Sequence, residues 1–382
     1  MKNKIVYISK IRLTISVLQD YFIDTAIKKG ADVEYWDIVS LVREEYSEHG
    51  MLDVEYLKYI KTYQEFNDLI LLSENQNAVY VLLITRQIGN LKPFRILSSN
   101  NCKMVYISSG DMPIAKNTNR FIRIIHRFIN NPFDFASQLF HFFKLKLHEK
   151  SNTINQFEIE FIVGKNLLKA SSHSKKNVMI NCHDYDRYKA LEFSNDNIVD
   201  SKFIVFIDQN APSHSDAIVW INEDAYFKSI NRIIGLIEAS QKLKVVIAGS
   251  PKSKYGSEKY EGREFYRLKT AQLVKQAEFV IAPYATTIVG SAVLNFKPIF
   301  FIYNDEVMKV WPESVREQKR IAEYLGLEIY NADLITHVDQ IVIEQPNIER
   351  YNLYKYSFLT SYESENKKSN EIFWDEVSKL LY

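Results

Sequence analysis

The chain lacks the short signatures that mark most nucleotide-dependent and hydrolytic enzymes. Its 382 residues contain no Walker phosphate loop, no G-x-G-x-x-G after the first apolar stretch, no H-E-x-x-H and no nucleophile elbow. NAD binding and ATP hydrolysis therefore have little support. An excess of one charge is also missing, because 48 Lys and Arg face 47 Asp and Glu. A general nucleic-acid binder would need a basic surplus. Cysteine is scarce: Cys102 and Cys182 lie far apart and form no ligand spacing. That usage fits a reduced, cytosolic chain without a disulfide framework. Long apolar runs are absent as well. The N-terminal MKNKIVYISK is too short in apolar residues for a signal peptide, and no later run approaches a membrane span.

What is present is a globular composition, 46% apolar and 25% charged, long enough for two ordinary domains. Lys4–Ile8 reads as a buried strand, Thr14–Lys29 as a helix ending at Gly30, and Asp32–Asp37 as a second strand. This β–α–β opening is the start of a doubly wound domain. Ala78–Ile84 and Lys103–Ile107 continue it, and residues 1–150 are expected to form the first Rossmann-like domain. The second half repeats the theme. Strands are expected at Asn177–Asn181, Phe203–Asp208, Lys244–Ala248, Phe279–Ala282, Pro298–Ile302 and Glu328–Tyr330. Helices are expected at Asn222–Lys242, Lys269–Gln276, Thr287–Asn295 and Val315–Leu325. A second domain over 151–350 and a C-terminal helical segment over 351–382 follow from this pattern. The expected fold class is α/β, with two Rossmann-like domains facing across a cleft.

Four strand-end loops carry the side chains that could do chemistry. The run from Asn181 to Tyr188 sets Asp184, Asp186, His183 and Arg187 close together. A carboxylate there could take a proton from a hydroxyl, or the loop could be an Asx-rich turn with Arg187 in a surface ion pair. Asp208 ends the apolar FIVFI and is a candidate general base with His214 as helper; the alternative is a turn or cap acid. The turn Gly249-Ser250-Pro251-Lys252-Ser253-Lys254 offers amides, hydroxyls and ammonium groups to a phosphate. Tyr284-Ala285-Thr286-Thr287 opens an expected helix, where hydroxyls and free amides suit an anion or, more simply, cap the helix. The third and fourth loops share one sheet edge.

Three stretches carry a family resemblance: HDYDRY at 183–188, FIDQNAPSHSD at 206–216, and VVIAGSPKSKY with FVIAPYATTIVGSAVLNFKPIFF. They resemble bacterial surface-polysaccharide glycosyltransferases of the GT-B type, most closely those using CMP-activated nonulosonic acids or Kdo. The resemblance covers about Val178–Ile302, and the first half is similar only in architecture. It implies Asp208 as base, Ser250-Pro251 as phosphate turn and Thr286-Thr287 as a second phosphate loop, with no cofactor beyond the nucleotide-sugar donor and no metal. It also implies a glycan or glycolipid acceptor. The chain departs from the family pattern where Ser250 stands in place of a histidine before Pro251. That loss leaves three readings: Lys252 or Lys254 substitutes, the donor differs, or activity is gone. A transferase of CDP-activated polyol phosphate and a non-catalytic binding subunit are the corresponding alternatives.

One segment differs from the rest. Arg120–His148 holds seven Phe and five Lys or Arg against one acid, Asp134, and Pro132 divides it. It reads either as helices packed on the first sheet or as a basic, aromatic surface for the cytoplasmic face of an anionic membrane.

Overall fold

The computed structural model describes residues 3–42, 51–85, 90–108, 147, 153–168, 173–192, 197–213, 221–251, 253–283 and 289–381. Two compact units emerge. One contains the described residues through Asn181 together with the tail from Thr360 onward; the other contains Cys182–Leu359.

The first unit is built on seven strands: β1 (Lys4–Ser9), β2 (Asp32–Asp37), β3 (Leu57–Tyr59), β4 (Val79–Leu83), β5 (Lys103–Ile107), β6 (Phe157–Val163) and β7 (Ser174–Ile180). Their order is β3-β2-β1-β4-β5-β6-β7, and every pairing is parallel. The second unit carries β8 (Phe203–Ile207), β9 (Lys244–Gly249), β10 (Phe265–Arg267), β11 (Val280–Ala282), β12 (Ile299–Tyr303) and β13 (Ile329–Asn331). Its order is β10-β9-β8-β11-β12-β13, again all parallel. Both are doubly wound sheets whose order reverses once, between β1 and β4 and between β8 and β11. Open α/β sheets bind ligands outside the carboxyl ends of the strands at such a reversal.

The central strands β4 and β8 are apolar and buried throughout because both faces of each sheet are covered there, whereas the edge strands β3, β7, β10 and β13 are partly exposed. In the second unit Phe203, Val205 and Ile207 pack on one face with Val246, Ala248, Val280 and Phe301. Ile204 and Phe206 point the other way, onto Ile230, Ile233, Ile234 and Ile237 of the helix Glu223–Gln241. The three- and four-residue spacing of those isoleucines makes the buried stripe of that helix. Asn222 caps it by accepting from the Ala225 N–H at 3.1 Å, as expected of an Asn at that place.

The structure corrects several expectations. The domain break falls after Asn181, not near 150, because β6 and β7 join the first sheet. Asn177–Asn181, read as opening the second half, is thus the far edge of the first. The last residues do not form a separate segment. The helix Ile348–Tyr354 belongs to the second unit, whereas Ser369–Val377 returns to the first, where Phe373 packs on Tyr7, Phe22 and Phe161. Asn181 ties strand end to tail: its N–H donates to Ser369 Oγ, its amide to the Lys367 carbonyl, and it accepts from Thr360 Oγ1 at 2.6 Å. Thr14–Lys29 is two short helices, not one. Phe22 breaks it in the left-handed region (φ 62°), with its ring held against Phe373 at 5.2 Å. A bulky residue in that region is strained, and burial of the ring offsets the strain. Gly30 (φ 83°) closes the second helix as expected.

Candidate functional site

The carboxyl edge of the second sheet gathers the described candidates. Asp208 directly follows β8, Gly249 and Ser250 end β9, Arg267 ends β10, and Asn304 follows β12. Asp208 is only 2% exposed. Its Oδ1 accepts from the Asn210 N–H (2.9 Å) and the Tyr255 hydroxyl (2.9 Å), and its Oδ2 faces the Ser250 N–H at 3.4 Å. Burial pushes this carboxyl above its ordinary range, and the hydrogen bonds it accepts hold back part of the rise. The geometry is that of a turn acid joining the β8 and β9 loops. Oδ1 accepts two protein donors, whereas Oδ2 has only the long contact to the Ser250 N–H.

The Ser250 turn is closed from within. Its carbonyl accepts from the Ser253 N–H (3.2 Å) and the Ser253 hydroxyl (2.8 Å). Its own N–H points at a carboxylate rather than outward. Pro251 and Lys254 are exposed, and Lys254 has no ion pair among the described residues. Gly249 is required by packing: a Cβ there would stand 2.1 Å from Phe265 Cζ on the neighbouring strand. Arg267, which sequence reasoning missed because the three-residue β10 gives no periodic signal, donates to the carbonyls of Ser253 and Tyr255 and lies over the Phe265 ring. It clamps the same loop.

Asp184 and Asp186 are not in a loop. His183–Leu191 is a helix, and Cys182 Sγ accepts from the Tyr185 N–H at its start, so both acids sit in the first turn, where the helix dipole favours them. Arg187 pairs with Asp184 at 3.4 Å on the surface. Burial pushes the Cys182 thiol well up. His214, Lys252, Tyr284, Thr286 and Thr287 lie outside the described residues, as does Arg120–His148 apart from Leu147. Among the described residues no group of three His, Cys, Asp or Glu side chains is arranged to hold a metal ion.

A feature with no sequence signature completes this edge. Nine described side chains carry a buried polar atom without a hydrogen-bond partner; those of the second unit are Gln209 Nε2, Asn210 Oδ1, Asn304 Nδ2, Ser314 Oγ, Gln318 Oε1 and the hydroxyls of Tyr226 and Tyr260. Gln209 and Asn210 follow β8, and Asn304 follows β12. Ser314 and Gln318 are one turn apart on the helix Pro312–Leu325. Gln318 Nε2 donates to the carbonyls of Ala282 (2.9 Å) at the end of β11 and Ile302 (2.8 Å) in β12. Its amide orientation is thereby set, and Oε1 cannot turn to those acceptors. Asn304 is fixed likewise, because its Oδ1 caps the Val307 N–H. The unpaired atoms thus follow β8 and β12, and the Gln318 amide reaches the end of β11, which lies between them in the sheet. Unpaired buried polar groups are few in native proteins and costly, by about 1–3 kcal/mol each.

A separate pocket of about 570 Å³ opens at the opposite, amino edge of the first sheet, among Asn101, Cys102, Ile154, Glu158, His173 and Lys175. His173 uses its Nε2 on the Ile154 carbonyl, and Lys175 pairs with Glu158 at 2.7 Å, so these two groups are already engaged.

No protein-family model matches the chain, and no curated protein sequence does. Solved structures are similar in fold along its whole length. The calicheamicin glycosyltransferase CalG4 superposes with a TM-score of 0.53 at 11% identity, covering 100% of this chain and 98% of that one. The spinosyn forosaminyltransferase SpnP gives 0.51 at 11% identity, covering 99% of each chain. The chain therefore has the two-Rossmann fold found in GT-B glycosyltransferases.

Proposed function

We propose that the protein transfers a sugar from a nucleotide-activated donor to a hydroxyl of a glycan or glycolipid, and that the second unit holds the donor. The observation that carries this reading is the set of unpaired polar atoms on Gln209, Asn210, Asn304, Ser314 and Gln318, in the loops after β8 and β12 and on the helix Pro312–Leu325. It is an uncharged set of donors and acceptors. Such a set suits the hydroxyl and amide groups of a nucleoside or sugar, and each contact made would recover part of a desolvation penalty already incurred. Asp208 acts in this reading as a positioning residue that joins the β8 and β9 loops through Ser250 and Tyr255. The base is then sought among the acids of 184 and 186 and His214. Exposed Lys254 is the described cation for a leaving phosphate, whose stabilisation needs no metal if fixed dipoles and charges surround it.

The motif resemblance favours a CMP-linked nonulosonate or Kdo as donor. Ser250 in place of histidine before Pro251 leaves a different donor open, and the second reading is a CDP-linked polyol phosphate. Thermal unfolding with CMP, CDP and UDP separates them. A ligand at a hundredfold excess over its Kd stabilises by about 2.7 kcal/mol. CMP alone shifting the midpoint supports the first reading and CDP alone the second; no shift with any of the three defeats donor binding. Ser314→Ala adds a sharper check. Removing an unpaired buried hydroxyl should leave the free protein as stable or about 1 kcal/mol more stable, while the nucleotide-induced shift shrinks.

A further inference from the structure

The strand reversal of the first sheet carries its own arrangement of charge. The loop Lys10–Thr14 leaves β1 there and is pinned along its length. The Ile11 N–H donates to Ser9 Oγ (3.0 Å), the Tyr35 hydroxyl donates to the Ile11 carbonyl (2.5 Å), and the Leu52 N–H donates to the Leu13 carbonyl (2.9 Å). Arg12 therefore starts from a fixed backbone. Its Nη1 donates to Oδ2 of Asp37 at 2.8 Å, and the guanidinium lies 5.5 Å from the centre of the Tyr59 ring. Asp37 is buried at the end of β2, with Oδ1 taken by the Val39 N–H.

The Arg12 side chain itself is 28% exposed. A guanidinium has five N–H donors in a planar fork that fits two oxygens of a carboxylate or phosphate. Here one edge is committed to Asp37, and no other acceptor among the described residues takes the remaining donors. Tyr59, Met51 and Ile15 flank the loop, each at least 36% exposed. The Arg12–Asp37 pair is neutral overall, so it would select by directed hydrogen bonds beside an apolar surface, not by net positive charge.

We propose that Arg12, oriented by Asp37 and faced by Tyr59, binds the carboxylate or phosphate of a second ligand that also presents an apolar or aromatic face. Identifying that ligand with the sugar acceptor rests on the sugar-transfer reading; the binding itself does not.

The test is calorimetry of the full chain with phenyl phosphate, benzoate and inorganic phosphate, and with benzyl alcohol as the uncharged control. Phenyl phosphate or benzoate should bind and benzyl alcohol should not, and the stronger of the two anions tells phosphate from carboxylate. Arg12→Ala alone would leave Asp37 buried without its partner, so the decisive variant is Arg12→Gln with Asp37→Asn, which keeps a neutral hydrogen-bonded pair. It should weaken the aromatic anions by about tenfold or more, since charge-assisted forks are the strong hydrogen bonds. Tyr59→Ala should weaken phenyl phosphate and leave inorganic phosphate unchanged. Anion binding that is undetectable, or equal in the double variant, overturns the site. Binding of CMP, CDP and UDP is measured in the same samples. If the double variant loses CMP as well, Arg12 serves the nucleotide and the second-ligand assignment falls. If CMP, CDP and UDP all fail to bind while phenyl phosphate binds, the sugar-transfer reading falls and this site stands.

Discussion

The Tyr255 hydroxyl donates to Oδ1 of Asp208 at 2.9 Å, with both residues buried beneath the loops that end β8 and β9. This bond and the contact to the Ser250 N–H make the acid a brace between two loops. Tyr255→Phe removes one donor from a buried carboxylate and should cost about 1–3 kcal/mol in urea unfolding. A change below a few tenths would mean that the hydroxyl adds nothing to the brace.

Asp208 also sets a pH dependence. Burial raises its folded-state pKa above the ordinary value, so the folded protein takes up this proton at a higher pH than the unfolded chain. The sign follows from linkage. This group's contribution is full below the ordinary aspartate value of about 4 and is lost as pH rises through the raised one. Asp208→Asn should abolish that decline. Urea unfolding of both proteins at a series of pH values from about 3.5 upward reads it directly, and parallel curves for the two would refute it.

Gly249 and Phe265 form a second tight relation. A Cβ at Gly249 would meet Phe265 Cζ at 2.1 Å and Cε1 at 2.2 Å, so Gly249→Ala must displace the ring. The expected loss is about 1–3 kcal/mol, and it should largely vanish in a Phe265→Ala background. Gly235 is the contrast. It lies inside the helix Glu223–Gln241, and a Cβ there would meet nothing closer than Arg263 Nη2 at 4.0 Å. Gly235→Ala should stabilise by about 0.5–1 kcal/mol through helix propensity.

The returning tail makes its own prediction. Phe373 is fully buried against Tyr7, Phe22 and Phe161 of the first unit. Phe373→Ala should cost about 3–5 kcal/mol in chemical unfolding, the range for deleting a buried aromatic ring. An effect near zero would mean that the tail is dispensable to that core.

The segment Arg120–His148 is tested by co-sedimentation with liposomes. No helix among the described residues is long and apolar enough to cross a membrane. Five Lys or Arg at an anionic surface, each contributing about 1 kcal/mol, would hold the protein there at low salt and release it at high salt. Protein that stays in solution with anionic liposomes at low salt returns the segment to ordinary packing.

Much of the architecture was legible because it is written in local pattern. The apolar runs at Phe203–Ile207, Lys244–Gly249 and Ile299–Tyr303 are long enough, and apolar enough on both faces, to be buried parallel strands. Asn222 and Gly30 mark helix ends by chemistry confined to a few residues. The short β3 and β10 carry no such signal. HDYDRY, rich in turn-forming acids, became a helix because Tyr185 is drawn into the core and Cys182 caps the first turn.

The sequence by itself determined two doubly wound halves and set Asp208 and Ser250 at strand ends, because hydrophobic period and strand-to-turn transitions are local properties of the chain. Only the tertiary structure decided that β6 and β7 belong to the first sheet and that the tail returns to it, since the pairing of β5 with β6 joins Val105 to Ile159, and the tail is held by a hydrogen bond from Asn181 to Ser369 and by packing of Phe22 on Phe373. It also decided the use of each polar group. Whether Asp208 is a base or a brace depends on which donors reach its oxygens, and whether Gln318 is satisfied depends on which carbonyls its amide meets. Apart from Asn210, two residues on from Asp208, those partners lie 16 to 47 positions away, on other strands and loops.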